Sequence, residues 1–274
     1  MARKKKSSLL WEIIKLFFRG IWFILSGIVK LISKFFGYLN RKISERAKSN
    51  KLNNNPIYTM PSYFKPFDVI KEITGKYSTF ENKLYKESII ALIFGKRGSG
   101  KSALGFKILE NINNKTKRKC YILGIEQSLV PKWINPIGDI TNAPDNSIVL
   151  VDEGAVSFGS RDSMSSKNKE LTKILAIARH KDLTLIFITQ NTGLIDKNVL
   201  KLVDILLVKE GSLLQTQMER SEIKKFYEKA NASFKSIKGD KKPYTYIIDS
   251  DFEGVVSFDL PSFWSTKLSK NKVI

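Results

Sequence analysis

The sequence predicts a three-layer α/β domain, in which helices cover both faces of a mostly parallel sheet. Three short apolar runs, at 88–94, 147–152 and 184–189, are typical of buried strands. The first run leads into a glycine-rich loop, after which apolar residues follow helical spacing. Because the carboxyl ends of parallel strands share one edge of a sheet, the polar residues that follow these runs are expected to form one site.

Composition excludes several classes of protein. The chain has 274 residues, 42% of them hydrophobic and 27% charged, and a net charge of +21. A wholly disordered chain, a collagen-like repeat and a polytopic transporter do not fit these values. One cysteine, Cys120, and one histidine, His180, exclude an internal disulfide and a Cys/His zinc site. We therefore expect a globular domain in a reducing compartment.

The first fifth of the chain is basic and apolar. Residues 1–50 carry 12 basic and 2 acidic side chains. The longest uncharged run, 20–29, is about half of the roughly 20 residues that a spanning helix needs. On a helix the charges of 9–39 collect on one side, opposite a wide apolar face. The pattern favours a helix that lies in the headgroup region of a membrane, with its basic side chains on anionic lipid.

We therefore predict a membrane-associated amphipathic helix over 1–46, on the cytoplasmic face of an inner or host membrane or associated with a virion. Two alternatives stay open: a tilted spanning helix whose lysines snorkel, and a helix packed on its own domain or on a partner subunit. A cleaved signal peptide is not expected, since no small-residue cleavage site follows. The further predicted segments are a polar, proline-containing linker and lead-in, the α/β domain and a basic tail, at 47–85, 86–264 and 265–274.

The loop after the first strand reads Gly, four residues, Gly-Lys-Ser. Strand, loop and helix in this order are typical of a phosphate-binding loop, whose backbone N–H groups converge on phosphates. Lys101 is expected to reach the outer phosphates and Ser102 to coordinate Mg²⁺. No Asn-Lys-X-Asp guanine signature is present, so ATP is the expected nucleotide. The predicted nucleotide contacts are Gly95, Lys96, Arg97, Gly98, Ser99, Gly100, Lys101, Ser102 and Ala103.

Two adjacent carboxylates end the second strand. Asp152 is expected to hold Mg²⁺ through its water shell, and Glu153 to orient and deprotonate the water that attacks the γ-phosphate. A nucleotide kinase would not need the second carboxylate, and no acceptor site for a small-molecule kinase is recognisable. The pair therefore predicts ATP hydrolysis with Mg²⁺ as cofactor.

Three further polar residues are candidates for catalysis, each with an ordinary alternative. Gln190, at the end of the third strand, either senses the γ-phosphate or is a plain loop residue. Arg161, in a polar loop, either serves a neighbouring subunit as an arginine finger or is a solvated surface charge. Arg179, the second candidate finger, ends a helix predicted over 167–180, where a cation also complements the helix dipole.

Together these motifs resemble the FtsK/HerA superfamily of P-loop ATPases. The motifs that carry the resemblance are Gly95 to Ser102, Val151-Asp152-Glu153, Phe158 with Arg161, Ala178-Arg179-His180 and Ile188-Thr189-Gln190. The Arg-His pair before a strand that ends in Thr-Gln is most similar to the Zot-like branch and to viral genome-packaging ATPases. The tail, 243–264, resembles the closing hairpin and Leu-Pro-X-Phe-Trp ending of some such proteins.

The resemblance implies a three-layer P-loop NTPase of the additional-strand, catalytic-glutamate type, extended by a carboxy-terminal β-hairpin. It implies that the strand bearing Gln190 lies between the phosphate-loop strand and the Asp152 strand, and that subunits form a ring, commonly a hexamer. The function it implies is ATP hydrolysis that drives DNA translocation or viral genome packaging at a membrane. The alternative is a Zot-like membrane-bound protein that drives virion assembly or extrusion.

Overall fold

The structure is a computed structural model that describes residues 8–152, 164–190 and 197–270. The chain divides into two compact units, Met1–Asn55 and Pro56–Ile274. The first unit contains α1 (Ser8–Asn53), a helix of 46 residues. Among its described side chains, the large apolar ones that are exposed are Trp11, Leu16, Trp22, Leu31, Ile32, Phe35, Phe36, Tyr38 and Ile43. Among the described residues, no helix carries an apolar stretch long enough to cross a membrane.

The second unit is built, within the described residues, on one sheet of nine strands. The strands are β1 (Asp68–Thr74), β2 (Ile90–Phe94), β3 (Cys120–Leu123), β4 (Ile134–Ile137), β5 (Ile148–Asp152), β6 (Thr184–Thr189), β7 (Ile205–Val208), β8 (Tyr244–Ile248) and β9 (Glu253–Ser257). Their order across the sheet is β1-β9-β8-β7-β2-β6-β5-β3-β4. The strands from β7 to β4 in this order run parallel, whereas β8, β9 and β1 continue the sheet in antiparallel fashion.

Further helices precede, separate and follow the strands along the chain. They are α2 (Pro56–Thr59), α3 (Tyr77–Lys86), α4 (Lys101–Lys115), α5 (Met164–His180), α6 (Lys197–Leu200), α7 (Leu213–Met218), α8 (Ser221–Phe234) and α9 (Thr266–Lys270). Two short 3₁₀ turns, Gln127–Leu129 and Ile140–Asn142, complete the described elements. Ser212 caps α7 by accepting a hydrogen bond from the Gln215 N–H.

The alternation of side chains along the strands produces two separate cores. In β2, Ala91 and Ile93 pack in the core that includes α3 and α4, whereas Leu92 and Phe94 pack in the core that includes α5 and α8. Because both faces are covered, β2, β6 and β7 are buried at every position. Helix, sheet and helix thus form the three layers that the sequence predicts.

Residues 47–85, predicted as a linker and lead-in, contain regular structure. α1 continues to Asn53, β1 pairs with β9, and α3 buries Phe80 and Leu84. The polar, proline-containing composition that suggested a linker describes only the residues before about 62. β1 has a partner near the other end of the chain, so local composition cannot indicate that this segment is a strand.

Gly105 lets α4 lie close to the sheet. A Cβ atom at this position would lie 2.7 Å from Cδ1 of Ile188 and 2.9 Å from Cδ1 of Leu150. Both distances are shorter than van der Waals contact, so a side chain here would force either the ends of the Ile188 and Leu150 side chains or the helix itself to move. The helix that follows the phosphate loop is therefore fixed tightly over the strands that carry the other site residues.

α4 also holds the chain that enters and the chain that leaves the second unit. Glu110 is fully buried, and its carboxylate accepts hydrogen bonds from Lys107 Nζ (2.9 Å) and the Tyr63 N–H (3.2 Å). The same carboxylate accepts from the Ser262 N–H at 3.3 Å and from the Ser262 hydroxyl. Next to Ser262, Phe263 of the Leu-Pro-X-Phe-Trp ending packs against the rings of Phe106 in α4 and of Trp133.

Candidate nucleotide site

The ends of β2, β6 and β5 meet at one edge of the sheet. β6 lies between the other two strands, with Phe94 opposite Thr189 and Asp152 opposite Ile188. The phosphate loop, Gln190 and Asp152 therefore leave neighbouring strands, and Gln190 is exposed in the middle position. The strand order implied by the family resemblance is confirmed.

Glycine conformations turn the loop from β2 into α4. Gly98 and Gly100 have φ angles of +74° and +88°, in the left-handed region that favours glycine. α4 begins at Lys101, and the Leu104 N–H donates to the Gly100 carbonyl at 3.0 Å. The N–H groups before this bond have no carbonyl partner within the helix. They provide the partial positive charge that a phosphate group needs.

Lys101 lies against the loop that it follows. Its side chain is 5% exposed, and its ammonium donates to the carbonyls of Gly95 (3.0 Å) and Lys96 (2.9 Å). These two carbonyl groups hold a full positive charge beside the N–H groups of the loop. The arrangement can bind the outer phosphates of a nucleotide, as predicted for Lys101.

Ser102 and Asp152 are in direct contact. The Ser102 hydroxyl donates to Oδ2 of Asp152 at 2.9 Å. Mg²⁺ prefers hard oxygen ligands and keeps several waters and phosphate oxygens, so one hydroxyl and one carboxylate suffice from the protein. In the described ranges no cluster of three or more His, Cys, Asp or Glu side chains suits a metal. The Ser102 hydroxyl and the Asp152 carboxylate fit a magnesium ion that is bound together with phosphate.

Ser99 has a buried hydroxyl group without a hydrogen-bond partner among the described residues. The residue is 3% exposed, and its Oγ makes no hydrogen bond within the described part of the chain. Leaving such a group unsatisfied costs about 1–3 kcal/mol. A phosphate oxygen bound in the loop would accept this hydrogen bond, which is a further fit between the loop and its predicted ligand.

The predicted arginines and Glu153 are not placed in the site by the structure. Glu153 and Arg161 lie outside the described residues, and their roles stay predictions. The Arg179 guanidinium donates to the Leu202 carbonyl (2.9 Å) and to Oδ1 of Asp204 (3.3 Å), which precede β7. Arg179 thus lies at the amino-terminal edge of the parallel strands, opposite the phosphate loop of its own chain. A role in the site of a neighbouring subunit stays a prediction.

Lys209 is a candidate that sequence reasoning missed. β7 pairs with β2 on the side away from β6, which places Lys209 beside the loop, and its N–H donates to the Phe94 carbonyl at 2.8 Å. Burial and then the charge of Lys101 lower the pKa of Lys209 to about 7. The only sequence signal for this role was a lysine directly after the apolar run Ile205–Val208. A lysine in this position is also typical of a strand end that is exposed to solvent, so the signal did not identify Lys209.

Comparison with known proteins supports the interpretation of these motifs. A family model described as Zonular occludens toxin (Zot) matches residues 105–248, more than half of the chain. This match confirms the predicted resemblance to the Zot-like branch and the prediction of a P-loop ATPase. No curated protein matches the sequence.

Several solved structures are similar to the chain at low identity. The genome packaging NTPase B204 from Sulfolobus turreted icosahedral virus 2, in complex with AMP, is 16% identical with a TM-score of 0.44, over 63% of this chain and 98% of that one. The pCW3 conjugation coupling protein TcpA with ATPγS is 15% identical with a TM-score of 0.44, over 73% and 70% of the two chains. EssC (ATPases 2 and 3) from Geobacillus thermodenitrificans is 12% identical with a TM-score of 0.42, over 75% and 47%.

Proposed function

The chain belongs to the Zot family, and on this premise we propose that it is a Mg²⁺-dependent ATPase motor of the FtsK/HerA type that translocates or packages DNA at a membrane. The observation that carries the ATPase part is the 2.9 Å contact between Ser102 and Asp152 beside the phosphate loop. A hydroxyl and a carboxylate in this position are the protein ligands that a magnesium–nucleotide complex requires.

Different residues of the site have different roles in the proposed hydrolysis of ATP. The loop N–H groups and the Lys101 ammonium bind the β- and γ-phosphate oxygens and hold the nucleotide in one orientation. Bound Mg²⁺, held by Ser102 and Asp152, would neutralise charge that develops on those oxygens. Glu153 takes a proton from the attacking water, and Gln190 hydrogen-bonds the same water or the γ-phosphate. The products are ADP and inorganic phosphate.

Replacement of Asp152 tests the ATPase proposal. Asp152→Asn keeps the shape of the side chain but removes the charge that holds Mg²⁺, so turnover should fall by about 10²-fold or more. Nucleotide binding measured without Mg²⁺ should change little. Asp145→Asn, at a carboxylate that is 79% exposed, is the matched control and should retain full turnover. Unchanged turnover and unchanged Mg²⁺ dependence in Asp152→Asn would contradict the assignment.

The charge of the chain supports DNA as the polymer that is moved. Residues 51–274 carry 35 basic and 24 acidic side chains, a balance that suits a polyanion. ATPase turnover of the full chain should therefore rise when duplex or single-stranded DNA is added. The stimulation should weaken with increasing salt, because phosphate contacts release counterions. ATPase turnover that does not change when DNA is added at low salt would refute the translocation role.

A second candidate is a membrane-bound protein that drives virion assembly or extrusion, and the Zot family match favours it specifically. In that case anionic vesicles, rather than DNA, should stimulate turnover. Titration of the ATPase with DNA and, separately, with anionic vesicles distinguishes the two candidates.

The proposal includes a homo-oligomer of the chain, and the expected form is a hexameric ring. Arg161 or Arg179 of one subunit would act at the nucleotide site of its neighbour, which contributes about 10³-fold or more in rate. Mixing Lys101→Ala chains with chains that carry an inactivating arginine substitution should restore hybrid sites and part of the activity. Turnover per chain that stays constant on dilution to a demonstrated monomer would contradict this arrangement.

α1 supports location on the cytoplasmic face of an inner or host membrane. It exposes large apolar side chains, such as Trp22 (75%) and Leu31 (70%), on an element of its own compact unit. The same unit contains all of residues 1–50, which carry 12 basic and 2 acidic side chains. Apolar side chains inserted between headgroups and basic side chains on anionic lipid would hold the ATPase at the surface.

A further inference from the structure

Lys209 is a fully buried cation that makes no salt bridge within the described residues. Its ammonium donates to the carbonyls of Lys242 (2.6 Å) and Tyr244, and it lies 4.7 Å from the centre of the Phe258 ring. Burial of an ammonium group away from a carboxylate is unfavourable. The two hydrogen bonds and the ring contact of the ammonium come from the entry and first residue of β8 and from the residue after β9, so the lysine joins β7 to this hairpin.

The hairpin entry that Lys209 holds lies directly against the phosphate loop. A Cβ atom at Gly100 would lie 2.9 Å from the Lys242 carbonyl oxygen, and one at Gly95 would lie 2.6 Å from Cβ of Lys209. The Lys96 N–H donates to the Glu210 carbonyl at 3.0 Å. Three residues of the loop thus rest on the residues that follow β7 and precede β8, and the Lys209 side chain connects these two supports.

We propose that Lys209 is a positioning residue of the nucleotide site, which fixes the shape of the phosphate loop by fastening the entry of the β8–β9 hairpin against it. This inference rests on the proposed ATPase function. A loop whose N–H groups already converge binds phosphate more tightly, because less order has to be gained on binding. It also makes the hairpin and the loop one mechanical unit, so that displacement of β8 reaches the nucleotide.

The charges around Lys209 provide a readout that a purely structural role would not change. The groups that face it are Lys101, which disfavours its charge, and Glu210 and Asp240, which favour it. Burial is the largest influence, and together these effects lower its pKa to about 7. Phosphates bound at Lys101 add negative charge and should raise this pKa. Nucleotide binding slightly above neutral pH should therefore be accompanied by proton uptake at Lys209.

Nucleotide affinity of the full chain tests the positioning role. Lys209→Met removes the donors at similar length and should weaken binding of a fluorescent ATP analogue by about tenfold or more, the scale of a charged hydrogen bond. Lys209→Arg keeps the donors and the charge and should restore most of this affinity. The matched control is Lys107→Met, at a lysine that is equally buried in α4 but bonded to Glu110 and the Tyr63 carbonyl. It should lower the Tm while affinity stays within about twofold.

Calorimetry provides a second test that does not depend on the stability of the Met variant. ATP binding measured at pH 8 in two buffers of different ionisation enthalpy should show proton uptake in the wild type. It should show none in Lys209→Arg, since a guanidinium stays charged. A folded Lys209→Met with wild-type affinity, or equal proton uptake in wild type and Lys209→Arg, would overturn the inference. If the wild type itself binds no nucleotide, the proposed ATPase function fails instead.

Discussion

Removal of the Glu110 carboxylate should destabilise the second unit more than the substitution of any exposed residue. Glu110 is 0% exposed, and its partner Lys107, with Nζ at 2.9 Å, is 2% exposed. Truncation in Glu110→Ala leaves the Lys107 ammonium buried without its counter-charge. Loss of one partner of a buried pair costs about 3–5 kcal/mol. The Tyr63 and Ser262 N–H groups also lose their acceptor, but both residues are exposed, so water replaces much of that loss.

The expected change in the free energy of unfolding is therefore about 3–5 kcal/mol, which is a large part of the roughly 5–15 kcal/mol of a typical domain. The double variant Lys107→Met with Glu110→Ala removes both charges at the same truncation and should recover part of this loss, because no unpaired charge stays buried. Urea denaturation of the full chain, followed by tryptophan fluorescence, measures both variants. Glu228→Ala, at an exposed carboxylate of α8, is the control and should change stability by less than about 0.5 kcal/mol.

Two results would refute this reasoning. The first is a Glu110→Ala variant that loses less than about 1 kcal/mol, which is far below the cost of an uncompensated buried charge. The second is a double variant that is no more stable than Glu110→Ala, because the loss would then come from packing and not from the unpaired ammonium.

Substitutions elsewhere in the chain test the packing of α4, the apolar face of α1 and the catalytic base. Gly105→Val should cost about 1–3 kcal/mol in thermal denaturation, since its Cβ would lie 2.7 Å and 2.9 Å from the ends of the Ile188 and Leu150 side chains and Val exceeds Gly in helix propensity by only about 0.5 kcal/mol; an unchanged Tm would contradict the close packing of α4. Ile32→Asp should reduce flotation with anionic vesicles, whereas the neighbouring Ser33→Asp, on the polar face, should reduce it less; equal losses would argue against an apolar membrane face. Glu153→Gln should keep ATP binding while hydrolysis falls by about 10²-fold, and unchanged turnover would exclude Glu153 as the base.

The strands of the nucleotide site could be predicted because both of their faces are buried. The predicted runs 88–94 and 184–189 correspond to β2 and β6, which consist of apolar residues and threonine. In such strands the apolar run is continuous, and it ends where the chain reaches the edge of the sheet. The polar residues that mark this edge are the site residues themselves, so the fold and the site were predicted from the same signal.

The edge strands could not be predicted in this way. β4 has the sequence Ile-Asn-Pro-Ile, and a proline argues against a strand except at the edge of a sheet, where β4 lies. β1 is exposed at every position and carries charges, so it lacks the apolar alternation of a half-buried strand. α8 was missed although a signal existed, because Ile223, Tyr227, Ala230 and Phe234 follow helical spacing and are buried.

α4 shows why local motifs reveal one part of a site and not its supports. Its first residues belong to a loop whose backbone conformation is set by neighbouring glycines, so the sequence alone indicates a phosphate site. Glu110 and Asn111, farther along the same helix, act through partners that are 46 to 152 residues away in the chain. Asn111 binds the backbone of Lys65 on both sides, with its amide oxygen 3.2 Å from the N–H and its amide nitrogen 2.8 Å from the carbonyl. A shift of α4 away from the nucleotide would have to break these hydrogen bonds and separate Gly105 from the sheet. The helix that binds phosphate is therefore held at its far end by chain segments that are distant in sequence, and no local sequence pattern connects them to the helix.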